Sequence, residues 1–113
     1  YDVAHGAGLA VVFPAWMTYQ LPHDPMRFAQ FAHRVMGCEM HYDHPEDTAR
    51  EGIARLKRFW HDLGLPVNFA ELGAKREDIP KLAAKASYHN GVLGKFRPLR
   101  EADVVKVLEL AAQ

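Results

Sequence analysis

Apolar residues recur along this chain at three- and four-residue intervals, and no segment sustains the apolar/polar alternation of a half-buried strand. The pattern predicts an all-α fold of about five helices, divided by Gly and Pro. The first apolar segment is unusual. Between Val3 and His23 there is no Asp, Glu, Lys or Arg; Leu9, Val12, Phe13 and Trp16 fall at helical spacing, while Ala10, Val11 and Met17 occupy the other faces. A helix that is apolar all round needs cover all round. A helical unit of 113 residues rarely has the mass to supply it, so this segment is expected to pack against protein outside the chain. Pro14 removes a backbone donor and is expected to kink the helix near its middle.

The remaining elements carry start and stop signals. Asp24 as N-cap and Pro25 at the first helical position open a second helix that buries Phe28, Phe31, Ala32 and Val35 and stops at Gly37. A third helix is predicted from about Pro45 to Leu63, with Ile53, Leu56, Trp60 and Leu63 on one stripe and Gly64 and Pro66 as breakers. A short connection through Phe69 and Leu72 reaches Gly73. Asp78 and Pro80 then open a fourth helix burying Ile79, Leu82, Ala83 and Ala86, ended by Asn90 and Gly91. The last helix starts near Arg100 and buries Val104, Val107, Leu108 and Ala111. No internal repeat or low-complexity tract interrupts this plan.

Charge narrows the range of partners. With 14 Lys and Arg against 14 Asp and Glu, the chain lacks the cationic excess that a phosphate backbone or an anionic bilayer attracts, so neither nucleic acid nor membrane is expected as a partner. The longest uncharged apolar stretch, Leu9 to Met17, is broken by Pro14 and is far shorter than the roughly 20 residues of a membrane span. Cys38 is the single cysteine, which rules out an internal disulfide and fits a reducing cytoplasm, the expected location. The chain opens on Tyr1 without a basic leader pattern and is expected to be a fragment.

Among residues that carry chemistry, His5 is the foremost. It stands just before the charge-free helix, and imidazole is both a common transition-metal ligand and a common acid/base group. The plainer reading of the same residue is a helix-start histidine satisfied by a backbone carbonyl. Asp2 is near enough in sequence to orient the His5 ring, though a turn or cap explains it equally well. Gly6 and Gly8 lack the third glycine and the preceding strand of a dinucleotide fingerprint. His41 and His44 have a metal-compatible spacing but lie in a polar connection with no second ligand pair, which favours a solvated loop. Cys38 has no adjacent cation pair to activate it and reads as a structural thiol; His33 and His61 receive no role. The third helix mixes Glu46, Asp47, Arg50, Glu51, Arg55, Lys57, Arg58 and Asp62 on a solvated face. Phe28, Phe31, Phe59 and Trp60 are read as core anchors, because a stacking platform for bases would interleave aromatics with cations.

The run Tyr1-Asp2-Val3-Ala4-His5-Gly6-Ala7-Gly8-Leu9-Ala10-Val11-Val12-Phe13-Pro14-Ala15-Trp16-Met17 resembles iron-type (group III) alcohol dehydrogenases, especially their butanol dehydrogenase branch. Arg27-Phe28-Ala29-Gln30-Phe31-Ala32, Gly64-Leu65-Pro66, Glu71-Leu72-Gly73, Phe96-Arg97-Pro98-Leu99 and Asp103-Val104-Val105 are similar to the same branch, so the resemblance covers the whole chain. It implies that residues 1–113 are the C-terminal portion of an all-helical, dehydroquinate-synthase-like metal-binding domain, with the N-terminal α/β cofactor domain absent. The family holds a divalent metal, Fe2+ or Zn2+, by one Asp and three His. The last of these histidines stands in the His-Gly motif and matches His5; the other ligands and the NAD(H)- or NADP(H)-binding loops would lie upstream.

The activity so implied is interconversion of alcohols and aldehydes or ketones, with a small alcohol or aldehyde as substrate and the absent α/β domain as partner. The fragment alone is expected to be inactive and to bind neither metal nor nucleotide tightly. An apolar face left without its cover favours association, so a homo-oligomer is expected. The stretch around Tyr88, His89 and Asn90 approaches the substrate pocket in such enzymes, but no motif there assigns a role, and a polar helix end explains it more simply. Two other readings remain open from the residues: a free-standing helical interaction module using the first helix as a partner surface, and a small metal-binding protein built on His41 and His44.

Overall fold

The computed structural model describes residues 5–86 and 88–113. The fold is all-α, as the periodicity predicts. Six helices follow in order: α1 (His5–Gln20), α2 (Pro25–Arg34), α3 (Pro45–Asp62), α4 (Phe69–Leu72), α5 (Ile79–Lys85) and α6 (Glu101–Ala112), with 3-10 turns at Leu21–His23 and Arg76–Asp78. Five of the six correspond to the expected helices, and the connection through Phe69 and Leu72 is itself a helical turn. Among the described residues the only β-pairing is two isolated bridges, His89 with Val92 and Leu93 with Leu99.

The local signals explain most boundaries. The Asp24 carboxylate accepts the Arg27 N–H at 3.3 Å and Pro25 takes the first helical position, so α2 begins where the cap dictates. Gly64, with φ 88°, closes α3: its N–H donates to His61 O, and Leu65 N–H donates to Trp60 O. These two bonds satisfy carbonyls that the helix end leaves without partners. Asn68 caps α4 by accepting the Glu71 N–H at 2.9 Å, and Arg100 N–H donates to the Asp103 carboxylate at 2.9 Å at the head of α6. Pro14 lies inside α1, which runs on through it as one helix.

The helices enclose two adjoining cores. One is formed by Val11, Ala15, Phe69, Ile79, Ala83, Leu99, Val104, Val107 and Ala111, and the other by Met17, Leu21, Phe28, Ala29, Ala49, Ile53 and Leu56. Helix α1 contributes to both, and Trp16 packs against each, so α1 is the spine that joins α2 and α3 on one side to α4, α5 and α6 on the other. The domain measures 39 × 35 × 19 Å, and its thin dimension is about two helix diameters. A slab of that thickness cannot wrap α1 completely. Ala10, Val11, Pro14, Ala15, Met17 and Gln20 are buried, whereas Leu9 and Phe13 remain 48% and 43% exposed.

Several expectations are corrected. Helix α2 ends at Arg34 rather than at Gly37, and Val35 is exposed instead of buried. Phe59 is exposed rather than a core anchor, and Leu63 is exposed just after α3, whereas Trp60 in the same last turn packs against the second core. The fourth expected helix ends at Lys85. Asn90 and Gly91, with φ of 53° and 81°, do not cap it; they form a tight turn in which His89 and Val92 exchange both backbone hydrogen bonds. Two successive left-handed residues are what a two-residue hairpin of this type requires.

Helices α2 and α3 meet at Gly52. A Cβ there would lie 2.3 Å from Ala32 Cβ and 2.8 Å from Ala32 Cα. Gly52→Ala is expected to lower the unfolding free energy by about 1–3 kcal/mol through overpacking, even though Ala is the better helix former by about 1 kcal/mol. A shift of the urea midpoint to lower denaturant checks this, and a rise would deny the close approach.

Candidate metal centre

His5 is the first residue of α1 and is exposed. Leu9 and Phe13 follow it at four-residue steps, so one ridge of the helix carries an imidazole at its head and two exposed apolar side chains behind it. Asp2, the expected orienting carboxylate, lies outside the described residues. Among the described residues no three His, Cys, Asp or Glu side chains gather as a metal site. The chemistry of His5 suits a borderline divalent cation, but this part of the chain offers a single donor, and a tightly held ion needs others.

The other sequence candidates separate from His5 and from one another. His41 and His44 are exposed in the loop before α3, where His44 Nδ1 is 3.7 Å from Glu46 Oε1. The loop is fastened by Thr48, fully buried, whose hydroxyl accepts the His41 N–H and donates to Glu39 O. Cys38 is buried; burial first, and the Glu51 carboxylate second, push its thiol pKa up, which suits an inert thiol. His33 Nδ1 pairs with Cys38 O at 2.8 Å, and exposed His61 lies beside Asp62. His89 and Asn90 are exposed in the tight turn, and the Tyr88 hydroxyl donates to Ala83 O while burial raises its pKa.

A polar cluster that the sequence pattern does not announce ties the segment after α5 to the end of α1. Gln20, 1% exposed, donates through Nε2 to Arg97 O at 3.0 Å and accepts from Arg97 Nε at 2.6 Å. Arg97 also donates to Tyr19 O, a carbonyl in the last turn of α1, and its guanidinium stands 5.1 Å from the Tyr19 ring centre. The Tyr19 hydroxyl donates to Asp103 Oδ1. That hydrogen bond raises the Tyr19 pKa and, with the Arg100 N–H, lowers that of Asp103. The one signal of this cluster in the sequence is the polar triplet Thr18-Tyr19-Gln20 at the end of a helix without charged residues. Next to Arg97, Phe96 meets Trp16, Phe28 and His23 edge-on at 5.7, 5.6 and 5.3 Å.

Residues 1–112 match the family model described as "Fe-containing alcohol dehydrogenase family, C-terminal". The chain belongs to this family. Iron-type alcohol dehydrogenases similar to it include the protein named "Probable NADH-dependent butanol dehydrogenase 1" of Bacillus subtilis, 38% identical over 109 residues that make up 96% of this chain and 28% of that one. NADH-dependent butanol dehydrogenase A of Clostridium acetobutylicum is 32% identical over 96% of this chain and 28% of its own length. The crystal structure of NADH-dependent butanol dehydrogenase A from Thermotoga maritima superposes with a TM-score of 0.85 at 36% identity, covering 100% of this chain and 30% of that one. The chain thus spans under a third of the dehydrogenases it matches, and the helical architecture is that of their C-terminal part. Among the described residues no helix is long and apolar enough to cross a membrane.

The Asp103 contacts generate a pH-dependent outcome. Its folded pKa lies below the ordinary carboxylate value, so its stabilisation is complete above that ordinary value and is lost as pH falls through the lowered one. Asp103→Asn is expected to cost about 1–2 kcal/mol near neutral pH. The deficit should shrink in acid, where the parent loses the same interaction; thermal melts across the acid range measure it, and a constant deficit would contradict the assignment.

Proposed function

We propose that this chain is the C-terminal part of the helical domain of a metal- and NAD(P)(H)-dependent alcohol dehydrogenase, and that His5 is one ligand of its divalent metal. The observation that carries the reading is an exposed imidazole in the His5-Gly6 pair at the head of a charge-free helix, within a match that runs through residues 1–112. The relatives' names supply butanol as a substrate type and NADH as a cofactor. The finer choices, Fe2+ or Zn2+ and NAD(H) or NADP(H), belong to residues upstream.

When bound, the metal supplies Lewis acidity to the alcohol or carbonyl oxygen and the nicotinamide gives or takes the hydride. This chain's own part is to present a neutral ring nitrogen from a fixed position. Helix α1 fixes it: the helix is buried through Ala10, Val11, Ala15 and Met17, and its far end is clamped by Arg97. No side chain from residue 5 to residue 23 carries an Asp, Glu, Lys or Arg charge, so nothing on α1 competes with the substrate oxygen for the cation. With a single donor, this chain alone holds no metal tightly and is inactive. The free-standing module draws no support from a match to the C-terminal part of a dehydrogenase family, and His41 and His44 gather no third ligand among the described residues.

In the full-length protein, His5→Ala is expected to weaken metal binding by more than about 100-fold, the upper end of what losing an outer-shell partner costs. Alcohol oxidation should fall with it, while the thermal midpoint of the metal-stripped protein barely moves. Metal content after dialysis, set beside that of His44→Ala, decides the matter: retention by His5→Ala removes residue 5 from the ligand set.

A further inference from the structure

Burial holds a hydrophobic helix in place, but the hydrophobic effect has no direction. On α1 this matters, because its apolar residues point to every side. Turning the helix about its axis exchanges buried Val11 and Ala15 for exposed Leu9 and Phe13 with no loss of apolar character. Side-chain shape narrows the choice of rotation, and directional bonds make it. Among the described residues, every side-chain hydrogen bond between α1 and the rest of the domain comes from Tyr19 and Gln20, since Thr18 bonds back to Pro14 O within the helix. Buried Gln20 meets Arg97 at both ends of its amide, donating to Arg97 O and accepting from Arg97 Nε. Arg97 is itself fixed: buried Leu99, two residues on, exchanges both backbone hydrogen bonds with Leu93 at 2.7 and 2.8 Å. The head of α1 is open by contrast. His5 is exposed, and a Cβ added at Gly6 or Gly8 would meet no atom within 4 Å among the described residues.

We propose that Arg97 is a positioning residue for the metal centre: by pairing with Gln20 it sets the rotation of α1, and so where the His5 ring points. The proposal rests on the reading of His5 as a metal ligand. A side-chain atom about 6 Å from the helix axis moves by about 1 Å when the helix turns by about 10°, whereas metal–ligand distances hold to within about 0.2 Å. A small turn at the tail is therefore a large error at the head. One buried polar residue fixes register in a coiled coil by the same logic, where an apolar seam alone leaves it open.

The test uses the full-length protein, titrated well below each variant's thermal midpoint so that all of it is folded. Gln20→Leu and Arg97→Met each strand a buried partner and are expected to lower that midpoint. The double variant replaces the pair by apolar side chains of similar size, and its midpoint is expected to recover. Its metal site is not. Co2+ should bind at least about 10-fold more weakly than to the parent, as on loss of an outer-shell partner, and the visible absorption of the Co2+ protein should change as the imidazole is displaced. A double variant with the parent's Co2+ affinity and spectrum overturns the proposal and leaves the clamp a structural one. If the double variant does not fold, Arg97→Lys, which keeps the charge at the tail of α1 and loses the planar fork, is read in the same way. His5→Ala separates the two readings. Loss of metal there beside an unaltered double variant sinks this proposal alone, and retention of metal by His5→Ala sinks both.

Discussion

Everything in this fold is arranged about a helix that contains no charge. Burying an apolar helix is favourable in proportion to the area removed from water, and the polar groups on α1 are confined to its ends, His5 at the head and Thr18, Tyr19 and Gln20 at the tail. Because α1 is apolar in every direction, it can serve two cores at once: Val11 and Ala15 face the α4–α6 side, and Met17 faces α2 and α3. An amphipathic helix in the same place would have committed one face to solvent and left one of those groups without a partner.

The polar end of that helix is where the cost of burial is met. Gln20 is shut away from water, and a buried amide left unbonded would be expensive. Arg97 answers both its oxygen and, through the backbone, its nitrogen, while also reaching Tyr19 O. The residues after the Asn90-Gly91 turn are thereby held against α1, with Phe96 set among Trp16, Phe28 and His23. A segment that is irregular by secondary structure is thus fixed by side chains. Tyr19 and Asp103 extend the same clamp to the start of α6.

Much of this architecture is legible in the local chemistry of the chain. Asp24-Pro25 and Gly64 mark helix ends by mechanisms that act within a few residues, and the structure places both ends there. The expected burial of Val35, Phe59 and Leu63 fails for a different reason. Periodicity says which residues are apolar; tertiary packing decides which of them are covered, and at the end of α3 it takes Trp60 and leaves Phe59 and Leu63 exposed. Asn90-Gly91 misleads because left-handed residues serve helix ends and tight hairpins alike, and only the pairing of His89 with Val92 separates them. The Tyr19–Asp103 and Gln20–Arg97 contacts join residues 84 and 77 positions apart, beyond any local signal. His5 is legible only through its neighbours in the motif, since one imidazole at a helix start has several ordinary explanations.

The thinness of the slab bears on how the whole protein comes apart. At 19 Å, this portion buries little more than one layer of side chains between its helices, and a small core leaves a small free-energy reserve. Because α1 belongs to both cores, heating should show no separate transition for either of them: the α2–α3 side and the α4–α6 side unfold together as one calorimetric unit.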